Sequence, residues 1–192
     1  ATVTINRATS GRKSVAVVRP VWLLGTDDFL QVPHNPLIDF YAGNAFTVLV
    51  VAREHATPAN SGRFIAKGPA GVPGGAWVLA HSAAATNIQL RIDGVVSAKQ
   101  VTTGAPTVGQ LYVNVGQMDG AAMTAYAGLA TKATATNTSA QGGYINTAVM
   151  RIGCASTALS SFLDAEIVAA AIWRRALSTT ELASIATYYG AT

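Results

Sequence analysis

Short runs of β-branched and aromatic residues, each closed by glycine, proline, asparagine or serine, recur along the chain. That punctuation predicts antiparallel strands. "FTVLVVAR" (46–53) and "SGRFIAKG" (61–68) are two such runs, and after the turn-rich "PAGVPGG" comes a third, "AWVLAHS". "NIQLRIDG" (87–94) alternates, with Ile88, Leu90 and Ile92 on one side and Gln89, Arg91 and Asp93 on the other. A period of two predicts one buried face and one solvated face. "QLYVNVGQMDGAAMTAYAG" reads as a hairpin turning at Asp119-Gly120, a strong local turn signal. "LATKATATNTSAQGG" (129–143) is small and polar and predicts a long loop, and "AVMRIGCAS" and "FLDAEIVAAAIWRRA" follow as further strands.

The chain closes on a change of period. Ser178 and Glu181, three residues apart, match a capping box, in which each side chain satisfies the other's backbone N–H. Leu182, Ile185, Ala186 and Tyr189 then form an apolar stripe at helical spacing, and Gly190 supplies a helix stop. So short a helix needs its stripe docked to persist, which predicts a structural lid. Many strands with one helix predict an all-β, antiparallel β-sandwich carrying one short C-terminal α-helix. Residues 21–192 form that domain, and residues 1–20 an N-terminal arm or first strand.

Composition narrows the function. At 192 residues the chain is one domain, able to bury roughly 70% of its extended surface. Alanine inflates the 50% hydrophobic content, and charged residues are only 11%. The most apolar stretch, "SVAVVRPVWLLG", is broken by Arg19 and Pro20. It falls short of the about 18 apolar residues of a membrane span, so no membrane insertion is expected. No charged-then-apolar leader is visible. A lone cysteine, Cys154, excludes an internal disulfide framework and a cysteine-based zinc site. Of the 13 basic residues, Arg7, Arg12, Lys13 and Arg19 cluster at the start and are read as a docking arm. The scatter of the others argues against nucleic acid as the partner.

The ending "IVAAAIWRRALSTTELASIATYY" resembles the closing segment of the laminin-G-like, concanavalin-A-like jelly-roll family, where a strand leads into "R-A-L-S" and a helix beginning "x-x-E-L/I". "DDFLQVP" followed by "FTV" resembles the family's opening. "FIAKG" resembles its "I-x-x-K-G" strand, "MTAYAG" its "x-x-Y-x-N-G" turn, and "MRIGCAS…FLDAEI" its "I-G…F-x-G-x-I" hairpin. The resemblance spans about residues 22 to 190. Ala127 stands where the family has Asn, and Ala165 where it has Gly. The resemblance implies a concanavalin-A-like jelly roll that holds glycans or protein partners at its rim or open face, sometimes with calcium. Ligand-binding candidates are Gln89, Arg91, Asp93 and Asp119. Calcium takes several convergent oxygens, so its candidates are Asp27, Asp28, Asp93 and Asp119; no other cofactor is expected. Trp22, Trp77 and Trp173 lie within apolar runs and are read as core, while His34, His55 and His81 are read as surface or edge residues.

Catalytic readings are thin. Retaining glycosidases place two carboxylates roughly 5 Å apart. Asp164 and Glu166, two residues apart, are the pair to test, but the "E-x-D-x-x-E" pattern of the related glucanases is absent. No catalytic residue is assigned. The expected function is non-catalytic binding: a tailed-phage virion surface protein, either capsid decoration or tail-associated adhesin. Its partners are other virion proteins or a cell-surface glycan, and it forms a homo-oligomer or symmetric assembly. That placement is an analogy from fold and context. The alternatives are a secreted carbohydrate-binding module and a glycoside hydrolase or lyase of the same fold.

Overall fold

In the computed structural model the elements run β1 (Trp22–Leu24), β2 (Leu30–Val32), β3 (Phe46–Glu54), β4 (Arg63–Lys67), β5 (Trp77–His81), β6 (Ile88–Asp93), β7 (Ala98–Thr102), β8 (Leu111–Asp119), β9 (Ala122–Ala127), β10 (Lys132–Thr136), β11 (Met150–Ile152), β12 (Ala165–Trp173) and α1 (Thr179–Tyr189). The structure describes residues 22–24, 27–40, 44–57, 62–68, 76–82, 87–93, 98–136, 147–155 and 160–192. The arm residues Arg7, Arg12, Lys13 and Arg19 lie outside them. Two antiparallel sheets form, sheet I in the order β1-β12-β3-β8-β9-β10 and sheet II in the order β2-β11-β4-β5-β6-β7. This is the expected all-β sandwich with one short C-terminal helix.

β3 is apolar at nearly every position because both faces of sheet I are covered. Phe46, Val48, Val50 and Ala52 face the inter-sheet core, while Leu49 and Val51 pack with Val113, Val115 and Tyr126 beneath α1. β6 alternates because sheet II buries only its inner face: Ile88, Leu90 and Ile92 are fully buried, and Gln89 and Arg91 half-buried. The sheets meet closely at Leu90 and Gly116, where a Cβ on the glycine would stand 2.7 Å from Leu90 Cδ1.

Three expectations need correction. Residues 132–136 are no loop but the edge strand β10, paired with β9 from Lys132↔Tyr126 to Thr136↔Ala122. "KATAT" alternates alanine inward and threonine outward, a strand pattern written in small residues. β7 had no expected counterpart. His81 is no edge residue either: it is 1% exposed, and its Nε2 lies 3.0 Å from Glu54 Oε2, tying sheet II to sheet I.

The opposite end is closed by a second buried pair. Lys67 Nζ lies 2.6 Å from Asp39 Oδ1 and donates to the Ala148 carbonyl at 3.2 Å. It also approaches His34 Nδ1 at 3.3 Å; an ammonium has no lone pair, so the imidazole nitrogen accepts. Trp77 Nε1 donates to the Ile38 carbonyl, and Phe40 stacks on Phe46 at 4.2 Å. The segment 34–40 is thereby pinned over the core. Lys67→Met should cost about 3–5 kcal/mol in urea unfolding, because it strands the buried Asp39 carboxylate. The double variant Lys67→Met/Asp39→Leu should recover much of that loss.

α1 begins in the expected capping box: Ser178 Oγ accepts from Glu181 N–H, and the Glu181 carboxylate accepts from Ser178 N–H. Gly190, with φ of 65°, ends it. The Arg175 guanidinium is the main cause holding the Glu181 carboxyl down at about 2, helped by Ser178 N–H. The depressed carboxyl makes its contribution to stability fully above pH 4.5 and loses it as pH falls toward 2. Urea midpoints measured from pH 5 down to pH 2 should therefore fall more steeply for the native chain than for Glu181→Gln.

Candidate functional site

The outer faces of the two sheets differ in what they offer. On sheet I, α1 lays Leu182 and Ala186 over Leu49, Val51, Val113 and Val115. A buried polar node fixes the approach to that helix. Thr47 Oγ1 donates to the Arg175 carbonyl and accepts from Leu177 N–H, and Gln117 Nε2 donates to the Leu177 carbonyl at 2.7 Å. Beside α1 lies an apolar groove of about 330 Å³ walled by Ala169, Ala171, Trp173, Ile185 and Tyr188. It offers little hydrogen bonding.

On sheet II the outward residues are polar arms, and strand register lines them up. Gln31 pairs with Arg151, Arg151 with Ala66, Ala66 with Val78, Val78 with Arg91, and Arg91 with Gln100. One row therefore crosses the whole sheet at right angles to its strands. A parallel row runs Arg63, Ala80, Gln89, Thr102. Adjacent strands are about 4.8 Å apart, so three steps place Arg151 and Arg91 about 14 Å from each other. Gln31 and Gln100 are exposed, and Arg91, Arg151 and Gln89 half-buried. Ala66 and Val78 are almost inaccessible, so contact from outside falls to the guanidinium and amide heads.

Arg151 is held by three neighbours. Its Nε donates to Gln31 Oε1 at 3.1 Å and a terminal nitrogen to the Ala155 carbonyl at 3.0 Å. Its guanidinium carbon stands 5.0 Å from the centre of the Phe29 ring. Nearby Cys154 is buried, and burial pushes its thiol up against the opposing pull of Arg151. It packs as a small hydrophobe.

Of the expected ligand residues, Gln89 and Arg91 lie on this face. Asp93 is the last residue of β6. Asp119 instead sits on the β8–β9 turn of sheet I. Asp93 and Asp119 share one end of the sandwich, because their neighbours Ile92 and Met118 pair with Trp77 and Phe46, whose rings lie 6.5 Å apart. Asp27 and Asp28 belong to the β1–β2 connection, with the Asp28 carbonyl beside Gly153 and Leu24 at the other end. The four do not form one site, and among the described residues no group of three or more His, Cys, Asp or Glu converges. Trp77 is core as expected, while Trp22 and Trp173 are only partly buried. Gln31, Gln100, Arg63 and Arg151 were missed, because nothing in their sequence separations signals a common row.

Asp164 and Glu166 are occupied by neighbours. Asp164 Oδ1 lies 2.9 Å from His55 Nδ1, and Glu166 Oε2 3.0 Å from Arg53. Glu166 points off the outer face of sheet I, away from both rows.

A model of the concanavalin A-like lectin/glucanases superfamily matches residues 24–183. Among solved structures, the chain is similar to the CBM40 of Ruminococcus gnavus IT-sialidase bound to α2,3-sialyllactose. There the TM-score is 0.61 at 11% identity, over 84% of this chain and 99% of that one. It is also similar to the NanB sialidase of Streptococcus pneumoniae (TM-score 0.65, 14% identity, 85% of this chain and 27% of that one). A third likeness is to botulinum neurotoxin type C, in a structure titled for cell entry through two ganglioside molecules (0.65, 10%, 90% and 43%). The chain thus spans less than half of the sialidase and neurotoxin chains. At these identities the likenesses show the fold. No curated protein is matched.

If Asp164 and Glu166 are surface ion-pair members, Asp164→Asn and Glu166→Gln should each shift the unfolding free energy by less than about 1 kcal/mol in denaturant titration.

Proposed function

Since residues 24–183 place the chain in the concanavalin A-like lectin/glucanases superfamily, we propose that it is a non-catalytic, lectin-like module that holds a glycan on the outer face of sheet II. The carrying observation is the pair of polar rows across that face, set against a sheet I whose outer face α1 covers. Guanidinium and amide heads on rigid strands are donors and acceptors suited to sugar hydroxyls. Gln89 and Arg91 are the central contacts, and Gln31, Gln100 and Arg151 extend them. Similar domains solved with sialyllactose or titled for gangliosides support the reading. So does the engagement of Asp164 and Glu166 by His55 and Arg53, which leaves the one candidate carboxylate pair occupied.

The finer proposal is that the module serves on a virion surface, as capsid decoration or tail-associated adhesin, in a symmetric assembly with other virion proteins. An 11% charged, alanine-rich composition supports repeated docking on a shell, with Arg7, Arg12, Lys13 and Arg19 as the strap. Electron microscopy of particles from the native source, with antibody to this chain, tests that placement; labelling confined to soluble protein would remove it.

For the binding itself, a glycan array should give saturable binding to at least one oligosaccharide. Gln89→Ala and Arg91→Ala should each weaken it about tenfold, the usual scale of a lost charged or buried hydrogen bond, while Tyr188→Ala in the sheet I groove leaves it unchanged. A flat array would defeat the proposal.

A further inference from the structure

We propose that residues 17–21, "VVRPV", continue β1 along the edge of β12 and close the open side of the apolar groove beside α1. The seat is on sheet I, so it stands or falls independently of the glycan face on sheet II. Three observations carry it.

The first is the character of β12. Its residues Val168–Trp173 read "VAAAIW", with no charge and no proline. That is the sequence of an interior strand; edge strands are blunted with charges, proline or bulges. Yet among the described residues Ala169–Trp173 pair with β3 on one side only, because the β1 ladder stops at Trp22↔Ile167. Burial changes at the same place. Ala165 and Ile167, which β1 covers, are fully buried, whereas Ala170 and Ile172 face the same inter-sheet core and are only partly buried.

The second is the direction of β1. It runs antiparallel to β12, so the chain before Trp22 is aimed from Ile167 toward Trp173. β12 carries one extra residue at Val168, between the pairs Ile167↔Ala52 and Ala169↔Val51. Counting past that bulge from Trp22↔Ile167 sets Val18 opposite Ile172 and Val17 opposite Trp173. Trp22 packs on the inter-sheet core, as Ala170 and Ile172 do. Alternation from Trp22 therefore gives Pro20 and Val18 to that core, in agreement with the count.

The third is the fit of the segment to what it would cover. Ala169, Ala171 and Trp173 form one wall of the groove, and Ile185 and Tyr188 of α1 the other. The odd-numbered residues of the segment fall on that side. Val17 and Val21 extend the apolar wall, while Arg19 lays its stem along it and keeps its head in water. Val17, Val18 and Val21 favour the extended backbone. Pro20 lacks an N–H and Arg19 is charged, which suits an outermost strand that must not recruit another. The added strand moves the edge of sheet I from a run that invites pairing to one that refuses it. It also ties the base of the N-terminal arm to the module and leaves Arg7, Arg12 and Lys13 beyond the strand.

The test uses the full chain. In Val18→Cys/Ile172→Cys, mild oxidation should give a disulfide within one monomer, since the native Cys154 is buried and does not compete. Hydrogen exchange read by mass spectrometry should find the amides of 17–21 at least about tenfold slower than in a free peptide of that sequence, as ladder bonds require. Val18→Pro should abolish that protection and speed exchange in 168–173, whereas Thr4→Pro should change neither. Protection absent from 17–21 in the native chain, or surviving Val18→Pro, would overturn the seating. A disulfide that links two chains, with protection that grows with protein concentration, would assign the edge to a second copy and overturn the proposal that the chain closes its own groove.

Discussion

The docking of α1 on sheet I decides the character of the rest of the molecule. Leu49, Val51, Val113 and Val115 point outward from that sheet and would meet water without the helix. Each such side chain is worth about 1.5–3 kcal/mol when removed from water. The helix is too short to form alone, so its start is fixed twice over. The capping box satisfies the first-turn N–H groups, and Thr47 and Gln117 reach up from the sheet to hold the backbone of 175–177. With the outer face of sheet I given over to packing, the polar rows fall to sheet II.

Between the sheets, an apolar core alone fixes position loosely, because aliphatic side chains tolerate sliding. Specific contacts remove that freedom. Leu90 settles on Gly116 where no Cβ fits. Near one end the Glu54–His81 pair bridges the sheets, and at the other Lys67 draws Asp39 and the segment 34–40 over the core. Buried ion pairs such as Lys67–Asp39 contribute little net stability against well-packed apolar residues, but displacing one partner leaves a bare charge. They penalise misplacement more than they reward folding, and the outer rows of sheet II inherit the resulting fixed register.

What could be read from the chain divides along a physical line. Features set by residues within one or two turns of each other were legible: the Ser178–Glu181 box, the Asp119-Gly120 hairpin, the alternation of β6 and the doubly buried run of β3. β10 was hidden because alanine and threonine give a weak hydrophobic contrast between faces. His81 was misplaced because its partner, Glu54, lies on the opposite sheet, and no local pattern reports a contact between sheets. At the candidate site, Gln89 and Arg91 were visible as the polar half of an alternating strand. Their companions were not, since membership of the row depends on five ladders and not on any one strand.

The row also depends on a local irregularity. β4 carries a bulge between Arg63 and Ile65. With the extra residue, Phe64 and Ile65 both enter the core, and Ala66 comes to the outer face between Arg151 and Val78. A regular strand from Arg63 would alternate strictly and leave either Phe64 or Ile65 facing out, because a one-residue slip sends each side chain to the opposite face. A large apolar side chain on the outer face of β4 would stand between the two guanidiniums and divide the row. The bulge therefore serves core and surface together: it gives the interior two large side chains in succession and keeps the floor of the candidate seat small.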